Sequence, residues 1–197
     1  MPTYQFGVSY HNVNVEDLDQ LEVIAASAPY AHVACVDGLT RIVATIEAPS
    51  AVEAVEMLVQ AVHAADPKAV PMTVDLPMVS ISDIASMVGL GRESVRLWTT
   101  GERGPGDFPS PIDTVGDRIK VWTTHDVWQW LAKYSIPHPE ERPLSMAEAI
   151  DGRRAIERLR RNWRGLPALA AAEQWSVAKH EETTVPVRQA RRAQSAA

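Results

Sequence analysis

The 197-residue sequence predicts an α+β fold in two packed parts followed by a helical extension. Three observations predict it. Apolar residues switch between a period of two and a period of 3.6 over the first 75 residues. A second set of helical and strand patterns follows from about 77 to 136. A proline-rich break, Pro137-His138-Pro139-Glu140-Glu141-Arg142-Pro143, then precedes a last helical pattern. The 46% hydrophobic content is enough for real cores, and the single Cys35 offers neither an internal disulfide nor a cysteine cluster for zinc.

In the first part, Tyr4 to Tyr10 alternates like a half-buried strand, and Val15 to Ser27 carries Leu18, Leu21, Ile24 and Ala25 at helical spacing. Ala31–Val36 and Arg41–Glu47 are β-rich runs around the turn Asp37-Gly38-Leu39-Thr40, which predicts a hairpin. Pro49-Ser50 opens a second helix with the stripe Val52, Val55, Leu58, Val59 and Val62, and Asp66-Pro67 ends it. Ala69 to Leu76 supplies a last strand. The order β-α-β-β-α-β can lay two helices on one face of a four-stranded antiparallel sheet, a ferredoxin-like sandwich over residues 1–76.

In the second part, Ser80-Ile81-Ser82-Asp83 sets a capping Ser three residues before an Asp, and Ile81, Ile84, Ala85 and Val88 form one buried stripe. Gly89 can take the positive φ of a sharp turn, and Val95 and Trp98 then pack a second helix on the first. Phe108-Pro109-Ser110-Pro111-Ile112 reads as a proline-punctuated edge strand, Val115-Gly116-Asp117-Arg118 as a turn, and Ile119-Lys120-Val121-Trp122 as a second strand. Thr123 caps a third helix with Asp126 at its third position and Val127, Trp130 and Leu131 on its apolar face. Together these predict a small winged helix-turn-helix.

The run from Val79-Ser80-Ile81-Ser82-Asp83-Ile84-Ala85 through Phe108-Pro109-Ser110-Pro111 to Trp122 and Asp126-Val127-Trp128-Gln129-Trp130-Leu131 resembles the AlpA, excisionase and MerR-type winged helix-turn-helix regulators. The resemblance covers under a third of the chain. It implies a DNA-binding transcriptional regulator whose second helix enters the major groove of double-stranded DNA while the wing touches backbone or minor groove. By position, Arg92, Glu93, Ser94 and Arg96 then face base edges, with the arginines suited to guanine O6 and N7, Glu93 to a cytosine amine and Ser94 to a phosphate or base. Arg118 and Lys120 on the wing suit phosphate contacts. Two departures are Gly91, where a Ser or Thr cap is common, and Glu93, where a cation would help more.

Charge is uneven. Residues 1–75 hold two basic against ten acidic residues, net −8; residues 76–136 come to −1 and residues 137–197 to +3. The acidic first part is expected to repel phosphates, which leaves it dimerisation as a homodimer, ligand sensing or docking of a protein partner. The near-neutral middle is a weak electrostatic footprint for DNA. An alternative reading is therefore a protein-interaction adaptor, or antitoxin-like partner, with weak DNA binding.

Beyond the break, the capping box Ser145-Met146-Ala147-Glu148 starts a helix towards Trp163, stopped by Gly165 and Pro167, with a second short helix through Trp175. This linker and basic helical extension (137–180) carries Arg153, Arg154, Arg158, Arg160, Arg161 and Arg164, either to clamp phosphates or bind a partner helix, or as a solvated helix on the protein's own surface. Residues 181–197 are polar and are expected to be disordered.

Other chemistry finds no foothold. Gly101-Glu102-Arg103-Gly104-Pro105-Gly106 lacks the Lys-Ser/Thr of a P-loop and the G-x-G-x-x-G order, so it reads as a connecting loop. His11, His32, His63 and Cys35 lack metal-ligand spacing, and there is no nucleophile elbow or carboxylate pair, so neither an enzyme nor a cofactor or metal is expected. No apolar run of 18 residues and no signal peptide occur, which predicts a cytoplasmic protein without membrane association.

Overall fold

A computed structural model describes residues 1–163 except Asp37 and Asp117, and the fold is α+β. The expected stop at Gly165 and Pro167, the short helix through Trp175, Arg164 and the tail 181–197 lie outside the described residues. In the first unit β1 (Thr3–His11), α1 (Leu18–Ser27), β2 (Ala31–Val36), β3 (Leu39–Glu47), α2 (Ala51–Ala65) and β4 (Val70–Val74) build an antiparallel sheet of order β2-β3-β1-β4. Tyr4, Phe6, Val8 and Tyr10 of β1 and Ile42, Ala44 and Ile46 of β3 turn to one face, where α2 buries Val55, Leu58, Val59 and Val62. Period-two strands thus meet a period-3.6 stripe, as burial of apolar area requires.

Local chemistry sets the ends. Ser50 Oγ accepts the Glu53 N–H at 3.2 Å to start α2. α1 begins at Leu18, not Val15, because Asp17 accepts the Gln20 N–H at 3.1 Å and caps it there. Its one buried residue is Ile24, beside half-buried Leu21 and the buried C-cap Ala28; Leu18, expected inside, is 76% exposed, and Ala25 is exposed too.

The sheet's other face is polar. Ser9 donates to the Asp75 carboxylate at 2.7 Å, and Arg41 pairs with the same carboxylate. Gly7 lies beneath them, where a Cβ would come within 2.8 Å of Asp75 Oδ2. The cluster buries both Gly7 and Ser9, so β1 is covered on both faces rather than half-buried.

The chain leaves this unit after β4 and returns to it. β8 (Arg142–Pro143) pairs in parallel with Tyr4–Gln5 of β1, and α6 (Met146–Asn162) packs on α2 and β4. The stretch read as linker and extension contributes Leu144, Ala149 and Ile156 to the first core. Gly152 makes the fit close: a Cβ there would lie 3.0 Å from Val74 and 3.2 Å from Val55. Trp163 stacks on His63 of α2 at 3.7 Å.

Glu148 ties strand and helix together. It accepts from the Ser145 N–H at 2.9 Å and from Arg142 at 2.8 and 3.1 Å. Burial alone would raise its carboxyl pKa, but the hydrogen bonds from Arg142 and Ser145 outweigh that and hold it below the usual carboxylate range. A depressed folded pKa adds stability that is present above the unfolded value and lost as pH falls through the folded one. Glu148→Gln is therefore expected to cost about 1 kcal/mol at neutral pH, with the deficit against wild type closing below pH about 4. Urea melts at pH 7 and pH 3 check this, and an equal deficit at both would refute it.

The second unit holds β5 (Met78–Ser80), α3 (Ile81–Val88), α4 (Arg92–Thr100), β6 (Asp113–Val115), β7 (Ile119–Thr123) and α5 (Thr124–Lys133). Its three-stranded sheet runs β5-β7-β6. β5 was not anticipated. The first hairpin strand is Asp113–Val115, not Phe108–Ile112: prolines at 109 and 111 deny ladder donors, and only the Ile112 N–H reaches Val121 O, at 2.9 Å. The core is Val79, Ile84, Ala85, Val95, Trp122, Val127, Trp130 and Leu131.

Among the described residues no helix is long and apolar enough to cross a membrane.

Candidate nucleic-acid interface

A capping box starts α3: Ser80 Oγ accepts the Asp83 N–H at 3.4 Å, and the Asp83 carboxylate accepts the Ser80 N–H at 2.8 Å. Gly89 ends it in the left-handed region at φ 67°, and the Leu90 N–H reaches back to Ala85 O at 2.9 Å. Three residues, Gly89 to Gly91, turn the chain into α4. Buried Ala85 and Val95 let the two helices approach.

α4 exposes its first turn. Arg92 and Glu93 are exposed and Ser94 is half-buried, while Val95 points into the core. Gly91 gives no side-chain cap. Among the described residues Arg92 has no ion-pair partner. Arg96 is held instead: it donates to Glu93 at 2.8 to 3.0 Å and lies 3.5 Å from Glu102. These bonds hold the Glu93 carboxyl below its usual range and raise Arg96 above its own. An arginine bound to two carboxylates must release both before it meets a base, so the expectation that Arg92 and Arg96 serve alike is altered.

The hairpin tip carries the other two cations. Arg118 lies in the turn and Lys120 opposite Thr114, both exposed. Lys120 is two residues from Trp122 on one strand, so it continues that side chain's face beyond the core. The opposite face carries the cross-strand pair Val115 and Ile119, 56% and 55% exposed.

Three indoles fix the connecting segments. Trp122 Nε1 donates to Pro109 O at 2.8 Å, Trp130 Nε1 to Gly106 O at 2.9 Å and Trp128 Nε1 to Pro139 O at 2.8 Å. Phe108 packs edge-on against Trp122 and Trp130, with ring centroids 5.8 and 4.7 Å apart. Gly104, at φ 97°, passes so close to Trp98 that a Cβ would clash. The loop from 101 to 112 is therefore held by side chains, although it has no strand. It also carries Arg103, an exposed cation that sequence reasoning passed over; its signal was a lone positive charge just beyond α4.

The C-terminal arginines are partly committed. Arg153 donates to Val74 O, Arg154 pairs with Asp151 at 2.9 Å, and Arg158 pairs with Glu56 at 3.1 Å. Among the described residues no group of three His, Cys, Asp or Glu side chains could hold a metal ion.

Compared with protein-family models, curated proteins and solved structures, the chain matches none.

Proposed function

We propose that this chain binds double-stranded DNA at specific sequences and acts as a transcriptional regulator, using a winged helix-turn-helix over residues 77–136 joined to a ferredoxin-like unit. The observation that carries this reading is an exposed α4 first turn, beyond a three-residue turn, in the same unit as a hairpin tipped with Arg118 and Lys120. A helix presented in this way suits the major groove, and a basic hairpin suits the adjacent backbone. Arg92 is the residue for guanine O6 and N7, Glu93 for a cytosine amine and Ser94 for a base or phosphate. Arg118, Lys120 and the further cation Arg103 serve phosphates.

Arg92→Ala is expected to cost about 1 to 3 kcal/mol on the best site and to relax discrimination at one or two base pairs. Arg96→Ala should cost less, because Glu93 and Glu102 compete for its guanidinium. Arg118→Ala or Lys120→Ala should weaken all sequences alike and flatten the salt dependence by about one unit. Selecting DNA from a random pool, then titrating single-base variants over a salt series, reads both signatures. If the Arg92, Arg118 and Lys120 variants all bind like wild type, this assignment fails.

A second reading has its own support. Ile112, Val115 and Ile119 leave an apolar hairpin surface exposed, which suits a protein partner better than phosphate. The adaptor reading predicts no selectable DNA at any salt, together with loss of partner binding on Val115→Asp.

A further inference from the structure

β2 is the last strand of its sheet, and its outer edge has no strand partner among the described residues. Thr45 donates to Tyr30 O at 3.1 Å, so even-numbered residues from 30 onward aim their backbone groups at β3. Ala31, Val33 and Cys35 therefore aim theirs outward. The Ala31 N–H is satisfied by Ala28 O at 3.0 Å, which leaves the Ala31 carbonyl and both groups of Val33 and Cys35 open. Such edges are usually guarded by Lys, Pro, a bulge or an inward charge. The strand AHVACV has no charged residue or proline, and its register with β3 is unbroken.

A second observation lies beside this edge. Ser27 Oγ donates to Ala61 O at 2.9 Å, which fixes the side of α1 that faces α2. Leu18, nine residues earlier at roughly 100° per residue, stands half a turn away on the opposite flank. That flank is the one turned from α2, and α1 also packs against β2. Leu18 is the most exposed large apolar side chain among the described residues, at 76%, and Ala25 shares its flank. Glu22, nearer the solvent side, is the one charge there. The sheet's polar face is a poorer candidate, since Arg41, Asp75 and Ser9 already satisfy one another across it.

We propose that two copies of this chain pair antiparallel through β2, about a two-fold axis beside Val33, to form one continuous sheet. In this register Val33 exchanges both hydrogen bonds with the partner's Val33, and the Cys35 N–H meets the carbonyl of the partner's Ala31. His32 lies across from the partner's Ala34, so no like charges oppose in the strand. The match is isologous, as a two-fold axis demands. The two α1 helices then lie flank to flank over the junction and cover Leu18. A dimer gives a thinly charged DNA module a second copy, but the inference stands apart from the DNA reading: a dimer without DNA affinity supports one and not the other.

Sedimentation velocity of the full chain over micromolar concentrations should show a dimer. Leu18→Glu, an exposed change in a helix first turn that tolerates acidic groups, should raise its dissociation constant at least tenfold. In a Cys35→Ala background, Val33→Cys should link two chains on mild oxidation, because residues of a hydrogen-bonded pair stand about 5.5 Å apart at Cα. The wild-type Cys35 pair, offset by four residues along the strands, would stand about 14 Å apart and should stay unlinked. A monomer throughout overturns the proposal. So does a dimer that Leu18→Glu leaves unchanged and Val33→Cys fails to link, and linking through wild-type Cys35 overturns the register.

Discussion

Trp122→Ala is expected to unfold the second unit while the first stays folded. Trp122 is 1% exposed, the largest fully buried side chain among the described residues, and its cluster has only eight buried members. Truncating a buried Trp costs about 3 to 5 kcal/mol, against a total of about 5 to 15 kcal/mol for a domain, with small domains at the low end. The loss is compounded because the Trp122 indole N–H donates to Pro109 O and its ring packs on Phe108. Amide exchange should show protection lost over α3, α4 and α5 and retained in β1 and β3. Trp122→Phe should restore most of it, since it refills volume without the hydrogen bond. Full protection in the Ala variant would contradict the role assigned to this ring.

Ile156→Ala should have its effect far away in sequence. Ile156 is fully buried among the residues of the first core, so its truncation is expected to cost about 2 to 5 kcal/mol. The loss should appear as faster amide exchange in β1 and α2, more than ninety residues earlier. An extension folded by itself would leave those amides unchanged, and that result would refute the packing described here. Truncating the chain at residue 75 is likewise expected to leave the first core without Leu144, Ala149 and Ile156.

Periodicity made the local elements legible. The stripe Val55, Leu58, Val59 and Val62, the caps Ser50, Ser80, Thr123 and Ser145, and the turn glycine Gly89 each depend on neighbours a few residues away. What stayed hidden depends on distant ones. α6 has a strong amphipathic pattern, but no pattern states that its apolar side meets Val55 and Val74. β8 is two residues long and contains a proline, so its pairing with β1 is fixed by tertiary placement alone. Leu18 fits the helical spacing of α1, yet the Asp17 cap starts the helix at Leu18 itself and its side chain falls outside. For the candidate site, exposure of Arg92, Glu93, Arg118 and Lys120 followed from spacing. The i, i+3 spacing of Glu93 and Arg96 was also in the sequence, and it foretold the ion pair that now occupies Arg96.

The return of the chain at β8 makes the second unit an insertion: a guest of some sixty residues whose two connections to its host, β4 and β8, share one edge of β1 while β3 holds the other. The order of synthesis then matters. A ribosome that has released β1 to β4 has delivered a host without Leu144, Ala149, Ile156 and the helix that covers Val74. The eight buried members of the guest's own cluster all lie within residues 79–131. At about 5 to 20 residues per second the host waits several seconds for residues 142–163 to complete its helix layer. For that interval the apolar surface that α6 covers in the finished fold is expected to stand open.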